Sequence, residues 1–357
     1  MTFEALTAVA LAGLGGTALV FLWLKLNRRL KRTIACYFRA FPTRRTNYAN
    51  YQRNYDLAVV GGSECVGSVD LTAVPDLIGF NWGLPRQGLR QDFWIVKNYF
   101  SLIRRGGNVL LFVSPRTLQT SEDQSGDMFR YSFFLDRNFL QLEARRGADV
   151  RDWLLGNVIN YTRRDRIYET AGARFPLLYP LAAFRLLMEI RQERRRRCKT
   201  ALSEQQMELV AQEVFSNRPA FDALESGEVE SARRANTELL ITIIAFLKER
   251  GLNPVIVVPP APSAIARRYP VHSLNRNFYS FLSRASSANV TVLDYLQTGE
   301  FSSSSCYVDS TTLTPEARRL FTQKLLKDLA SANANTGAEL RAMKEQSASV
   351  KHSSIRC

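Results

Sequence analysis

Short apolar runs, each too brief for a helix, recur along the chain and alternate with longer stretches whose apolar positions return every three or four residues. Leu57 to Val60 is the first such run, and it stops at Gly61-Gly62 before a helical period develops, so it reads as a buried strand. Leu77 to Asn81, Val109 to Val113, Pro254 to Val258 and Val290 to Leu293 repeat the signal. Between them, Arg90 to Arg105 sets Phe93, Val96, Phe100 and Ile103 on one helical face, with Gly106-Gly107 as its stop. Ser231 to Arg250 carries Leu239, Ile243 and Leu247 at core spacing and closes at Gly251. Leu274 to Arg284 and Thr314 to Ala330 read as two further helices, the last opened by a capping hydroxyl, a proline and an early acid at Thr314, Pro315 and Glu316. This alternation predicts an α/β domain over residues 55–330, a flavodoxin-like three-layer sandwich around a parallel five-stranded sheet.

The alternation is interrupted twice. Ala5 to Leu24 holds no charge over 20 residues, long enough to cross a bilayer as a helix, with Trp23 at one end and Lys25, Arg28, Arg29, Lys31 and Arg32 following. Residues 1–24 are therefore expected to form a transmembrane helix and 25–54 a basic juxtamembrane linker. The positive flank places the large C-terminal portion in the cytoplasm, as a single-pass protein of an inner or plasma membrane. The second interruption, about residues 130–230, is aromatic-rich and arginine-rich without a strand, and reads as an insertion with helices at Asp152 to Tyr161, Leu177 to Arg197 and Ser203 to Phe215. From 331 to 357 the chain is polar and without period, the pattern of a disordered tail.

A length of 357 residues with 46% apolar content is enough for a sizeable core, and the formal charge of +15 is gathered in clusters such as Arg44-Arg45, Arg104-Arg105 and Arg194 to Arg197. No zinc-finger spacing or RNA-binding aromatic motif accompanies them, so an anionic phospholipid surface, not nucleic acid, is the expected partner. The five cysteines are scattered and the histidines are only His272 and His352, which fits neither a disulfide framework nor a metal site. Phosphate-loop and dinucleotide spacings are absent as well, so no cofactor is expected.

Gly61-Gly62 leaves Ser63 at the carboxyl end of the first strand, where open α/β sheets place their ligands. On the residues alone, Ser63 is either a nucleophile or the cap of the following helix. The order Gly-Gly-Ser, Asn81-Trp82-Gly83, the strand ending at Val113, the strand ending at Val258, and Asp309-Ser310-Thr311-Thr312-Leu313 resembles the SGNH/GDSL hydrolase superfamily over about residues 55–125 and 232–330. The resemblance is greatest to its membrane-anchored branch, found with alanyl-transfer and polysaccharide O-acylation proteins.

That resemblance implies Ser63 as nucleophile, with its own amide and that of Gly83 as oxyanion donors and Asp309 as the residue that orients a base. The base position itself is Thr312 here, and a threonine hydroxyl accepts no proton near neutral pH. His272, after the fourth strand, is the one candidate to replace it. Cys65 is a lesser candidate nucleophile. Two functions follow as expectations: an esterase or O-acyltransferase acting on cell-envelope polysaccharide through Ser63, or a catalytically degenerate binding or scaffold subunit of polysaccharide assembly. Membrane, envelope polysaccharide and its assembly proteins are the implied partners.

Overall fold

The computed structural model describes residues 54–84, 87–119, 200–216, 227–286, 290–296, 298–332 and 334. The chain divides into two compact units, 1–51 with 126–195, and 52–125 with 196–357; the described residues all lie in the second. The apolar run 5–24, the linker, the first two insertion helices and most of the tail lie outside them. Among the described residues, no helix is long and apolar enough to cross a membrane.

Five strands, β1 (Tyr55–Val60), β2 (Gly79–Asn81), β3 (Ile103–Phe112), β4 (Asn253–Val258) and β5 (Thr291–Asp294), pair in the order β2-β1-β3-β4-β5. Every pairing is parallel. This is the doubly wound 2-1-3-4-5 order, in which the chain reverses direction across the sheet between β1 and β3. The paired segments 57–60, 109–112 and 255–258 at the centre of the sheet are wholly apolar because helices cover both faces. Leu57, Val59, Leu110, Phe112, Val255 and Val257 point to one face and join a core with Cys65, Val69, Phe321 and Leu325. Their alternating neighbours, such as Ala58, Leu111 and Ile256, point to the other.

On the first face lie α1 (Ser63–Ser68), α4 (Glu204–Ser216) and α9 (315–332). On the second lie α2 (Leu89–Tyr99) and α5 (Gly227–Glu249), joined at their edges by α3 (Pro115–Gln119) and by α8 (Ser280–Ser286). After β4 the chain makes two single-turn helices, α6 (Ser263–Ala266) and α7 (Val271–Leu274), and a π turn over Asn275–Tyr279 that runs straight into α8. The helix expected from Leu274 to Arg284 is thus longer and irregular. Asn277 explains the bulge, since its buried amide accepts from Arg233 on α5 at 3.0 Å and donates to the Ser273 hydroxyl at 3.2 Å.

Three further differences from the sequence reading have physical causes. The helix expected over Arg90 to Arg105 ends at Tyr99, because Ile103 pairs with Tyr55 and begins β3, with a register shift before Leu57 that lets Arg104 to Gly106 project into solvent. The buried stripe of α2 is Leu89, Asp92, Val96 and Tyr99, not the Phe93, Phe100 face, which instead packs edge-on against Phe246 of α5. Helix α4, expected within the insertion, buries Met207 and Ala211 in the core of the α/β unit, and Leu202 just before it donates to the Tyr307 carbonyl at 2.9 Å. At the other end of the chain, Thr314 caps α9 as expected, accepting from the Ala317 amide at 3.3 Å.

Candidate functional site at the carboxyl ends of β1 and β3

The chain reversal between β1 and β3 falls at their carboxyl ends, the crevice position of open α/β sheets, and two turns flank it: Gly61 to Glu64 after β1, and Ser114 to Thr117 after β3. Gly61 has a φ of +147°, and a Cβ there would stand 2.7 Å from the Phe112 Cβ, so only glycine lets the two strand ends approach so closely. The crevice is bridged. The Ser114 hydroxyl donates to Glu64 Oε1 at 3.2 Å and shares a hydrogen bond with Thr117 Oγ1 at 3.0 Å.

Ser63 is half-buried at the first position of α1. Gly83 lies beside it in the chain's packing, because a Cβ at Gly83 would run into Cys65 Sγ and stand 3.0 Å from the Gly61 carbonyl. The Gly83 amide, however, is engaged. It donates to Asn81 Oδ1 at 2.8 Å, and the same oxygen accepts from Cys65 Sγ at 3.1 Å while Asn81 Nδ2 donates to the Cys65 carbonyl at 3.3 Å. Asn81 thereby ties the end of β2 to α1 and holds the amide that the family resemblance assigns to an oxyanion. An oxyanion donor has to aim at the place where charge develops, and this one aims at a side-chain carbonyl.

The Asp309 loop reaches the same helix one turn further on. The Leu313 amide donates to the Gly67 carbonyl at 3.1 Å, and a Cβ at Gly67 would fall 2.8 Å from the Thr312 Cα. Gly67 is four residues after Ser63 and so shares its helix face, which brings Thr312 to the turn next to the serine. Asp309 Oδ1 accepts from the Thr311 amide at 2.9 Å and the Thr312 amide at 2.8 Å, closing its own loop as an Asx turn. His272 is exposed on α7, in the connection that follows β4.

Beneath the Ser63 turn lies a residue that the sequence reading passed over. Asp92, 2% exposed, accepts from Gln87 Nε2 at 2.6 Å and is also bonded to the backbone of Gly61. Burial pushes its carboxyl up to about 7, the nearby Glu64 charge adds to that, and the bonds from Gln87 and Gly61 only partly oppose it. Gln87 Nε2 also donates to the Trp82 carbonyl at 3.3 Å, so Asp92 and Gln87 brace the Gly61 turn and the Trp82-Gly83 segment together. The signal was present in the sequence: Asp92 lies three residues after Leu89 and four before Val96, on the face that is buried.

No protein-family model matches this chain, and no curated protein matches it significantly. The chemistry therefore rests on geometry. The crevice brings together Ser63, Gly83 and the Asp309 loop, and adds a buried carboxyl that burial pushes up to about 7. Among the described residues, no group of histidine, cysteine and carboxylate side chains is arranged to hold a metal ion.

Proposed function

We propose that the α/β unit is an SGNH-type domain whose serine turn does no acyl transfer, and that the protein acts as a membrane-anchored binding or scaffold subunit in the assembly or acylation of envelope polysaccharide. The observation that carries this reading is the Asn81 side chain on the Gly83 amide. Activating Ser63 would need a base within hydrogen-bond reach and free oxyanion donors. Thr312 offers no base, and Asp309 spends one carboxylate oxygen on the amides of its own loop. The retained Gly-Gly-Ser and Asn-Trp-Gly segments are explained by packing: the glycines admit Phe112 and Cys65, and Asn81 locks β2 to α1.

The membrane attachment rests on the uncharged run from Ala5 to Leu24 and its basic flank. That flank favours a cytoplasmic domain, whereas the anchored SGNH branch usually works outside the membrane. The charge rule is followed here, and a C-terminal phosphatase fusion that is active outside the membrane would overturn it.

Calorimetric titration of full-length protein with acylated and deacylated polysaccharide fragments tests the function. The expected result is equal binding by wild type and Ser63→Ala, with no acyl group released. Release by wild type that Ser63→Ala abolishes would establish an enzyme instead, and failure to bind either fragment would remove the polysaccharide.

A further inference from the structure

Because all five strands are parallel, their first residues lie along one edge of the sheet and the Ser63 crevice lies along the opposite edge. Helices α2 and α5 each run back from the carboxyl edge to deliver the chain to β3 and β4, so their last turns reach the amino edge. That edge is basic. Lys97 and Lys248 end the two helices, and Arg104 and Arg105 project from the start of β3.

A clasp gathers these groups. The Gly106 amide donates to the Gly251 carbonyl at 2.8 Å, and Asn253 Nδ2 donates to the Gly106 carbonyl at 2.8 Å, which brings residues 104–106 against 250–253. Arg250 lies 3.5 Å over the Phe246 ring and 5.0 Å over Phe100, while Lys97 lies 4.2 Å over Phe93. The cations are thus laid on half-buried aromatic rings. On the same edge Ile78, immediately before β2, is 37% exposed. Among the described residues, the carboxylates of this edge include Asp56, paired with Arg104, Glu249, 3.5 Å from Arg250, Asp76, and Asp328 near the end of α9, paired with Lys324 at 3.0 Å.

Basic groups backed by aromatic rings, with an exposed aliphatic side chain beside them, suit the boundary between lipid headgroups and acyl chains. The chain also enters the domain at this edge. Residues 25–54 lead into Tyr55 with nine lysines and arginines and no acid, and they follow the uncharged run 5–24. We propose that the amino-end edge of the sheet is the face that the domain turns to an anionic phospholipid bilayer, with the Ser63 crevice directed away from it. A bilayer is favoured over a polyanion such as RNA because the basic stretch follows an apolar run of spanning length. The inference rests on the membrane part of the proposed function and is independent of whether Ser63 reacts.

Hydrogen exchange of full-length protein in nanodiscs of phosphatidylglycerol and of phosphatidylcholine tests the face. The expected result is slowed exchange over 97–106 and 248–253 in the anionic discs alone, unchanged exchange over 61–67 and 114–119, and loss of the protection in Arg105→Glu/Lys248→Glu. Since that variant reverses two exposed charges at the lipid-facing edge, its attraction to the discs falls by at least roughly thirtyfold. Protection at the carboxyl edge, equal protection by both lipids, or protection by homopolymeric RNA and not by anionic lipid would each overturn the proposal. Resistance to carbonate extraction in the same samples reports the membrane span separately, so either conclusion can fail alone.

Discussion

Asp92 and Gly83 set the behaviour of the crevice residue by residue. A carboxyl held up to about 7 in the folded protein keeps a proton that the unfolded chain gives up near pH 4. Between those values the native state binds more protons than the unfolded state, so stability falls as pH rises, by at most roughly 4 kcal/mol, and is flat again above about pH 7. Asp92→Asn should remove that slope and be more stable than wild type at pH 8, as read from urea midpoints at pH 5 and pH 8; an unchanged slope would assign the proton elsewhere. Gly83→Ala should destabilise by about 1–3 kcal/mol through the clash with Cys65 Sγ. Adding Cys65→Ala should recover part of that loss, and strictly additive losses would contradict the packing account. Tyr307 offers the reverse case, since its fully buried hydroxyl has no hydrogen-bond partner among the described residues and burial raises its pKa. Tyr307→Phe should be neutral or stabilising by about 1 kcal/mol in the same assay, because no bond is lost and a desolvated group is removed.

At the scale of elements, α4 is the informative helix. Its sequence neighbours are basic and aromatic, so it reads with the insertion, yet Met207 is fully buried among Phe321 and Leu325. Met207→Ala should therefore cost about 2–5 kcal/mol in global unfolding, whereas a helix outside the core would cost almost nothing. Strands β1 and β4 were legible to within two residues, because continuous apolar runs end at Gly61 and at Pro259-Pro260. The start of β3 was not, because Arg104-Arg105-Gly106-Gly107 carries no strand pattern and only the pairing of Ile103 with Tyr55 defines it. The crevice was legible in part. Ser63 and Gly83 follow from glycine punctuation, but the hold of Asn81 on the Gly83 amide and the burial of Asp92 depend on how α1 and α2 pack, which no local pattern encodes.

For the molecule as a whole, the parallel sheet separates two kinds of surface. One edge gathers glycine turns, hydroxyls and a carboxyl that burial pushes up to about 7, and the other gathers cations on aromatic rings where the chain enters from its basic segment. The proposed bilayer face and the Ser63 crevice therefore lie at opposite edges of one sheet. The central claim is that the Ser63 turn is a structural lock. Intact-mass measurement of detergent-solubilised full-length protein after exposure to a fluorophosphonate at pH 8, beside Ser63→Ala, tests it most directly. The account predicts unmodified mass for both proteins, because Thr312 stands at the position of the base and the Gly83 amide is taken by Asn81. A single adduct on wild type that is absent from Ser63→Ala would contradict it and make the crevice an acyl-transfer site.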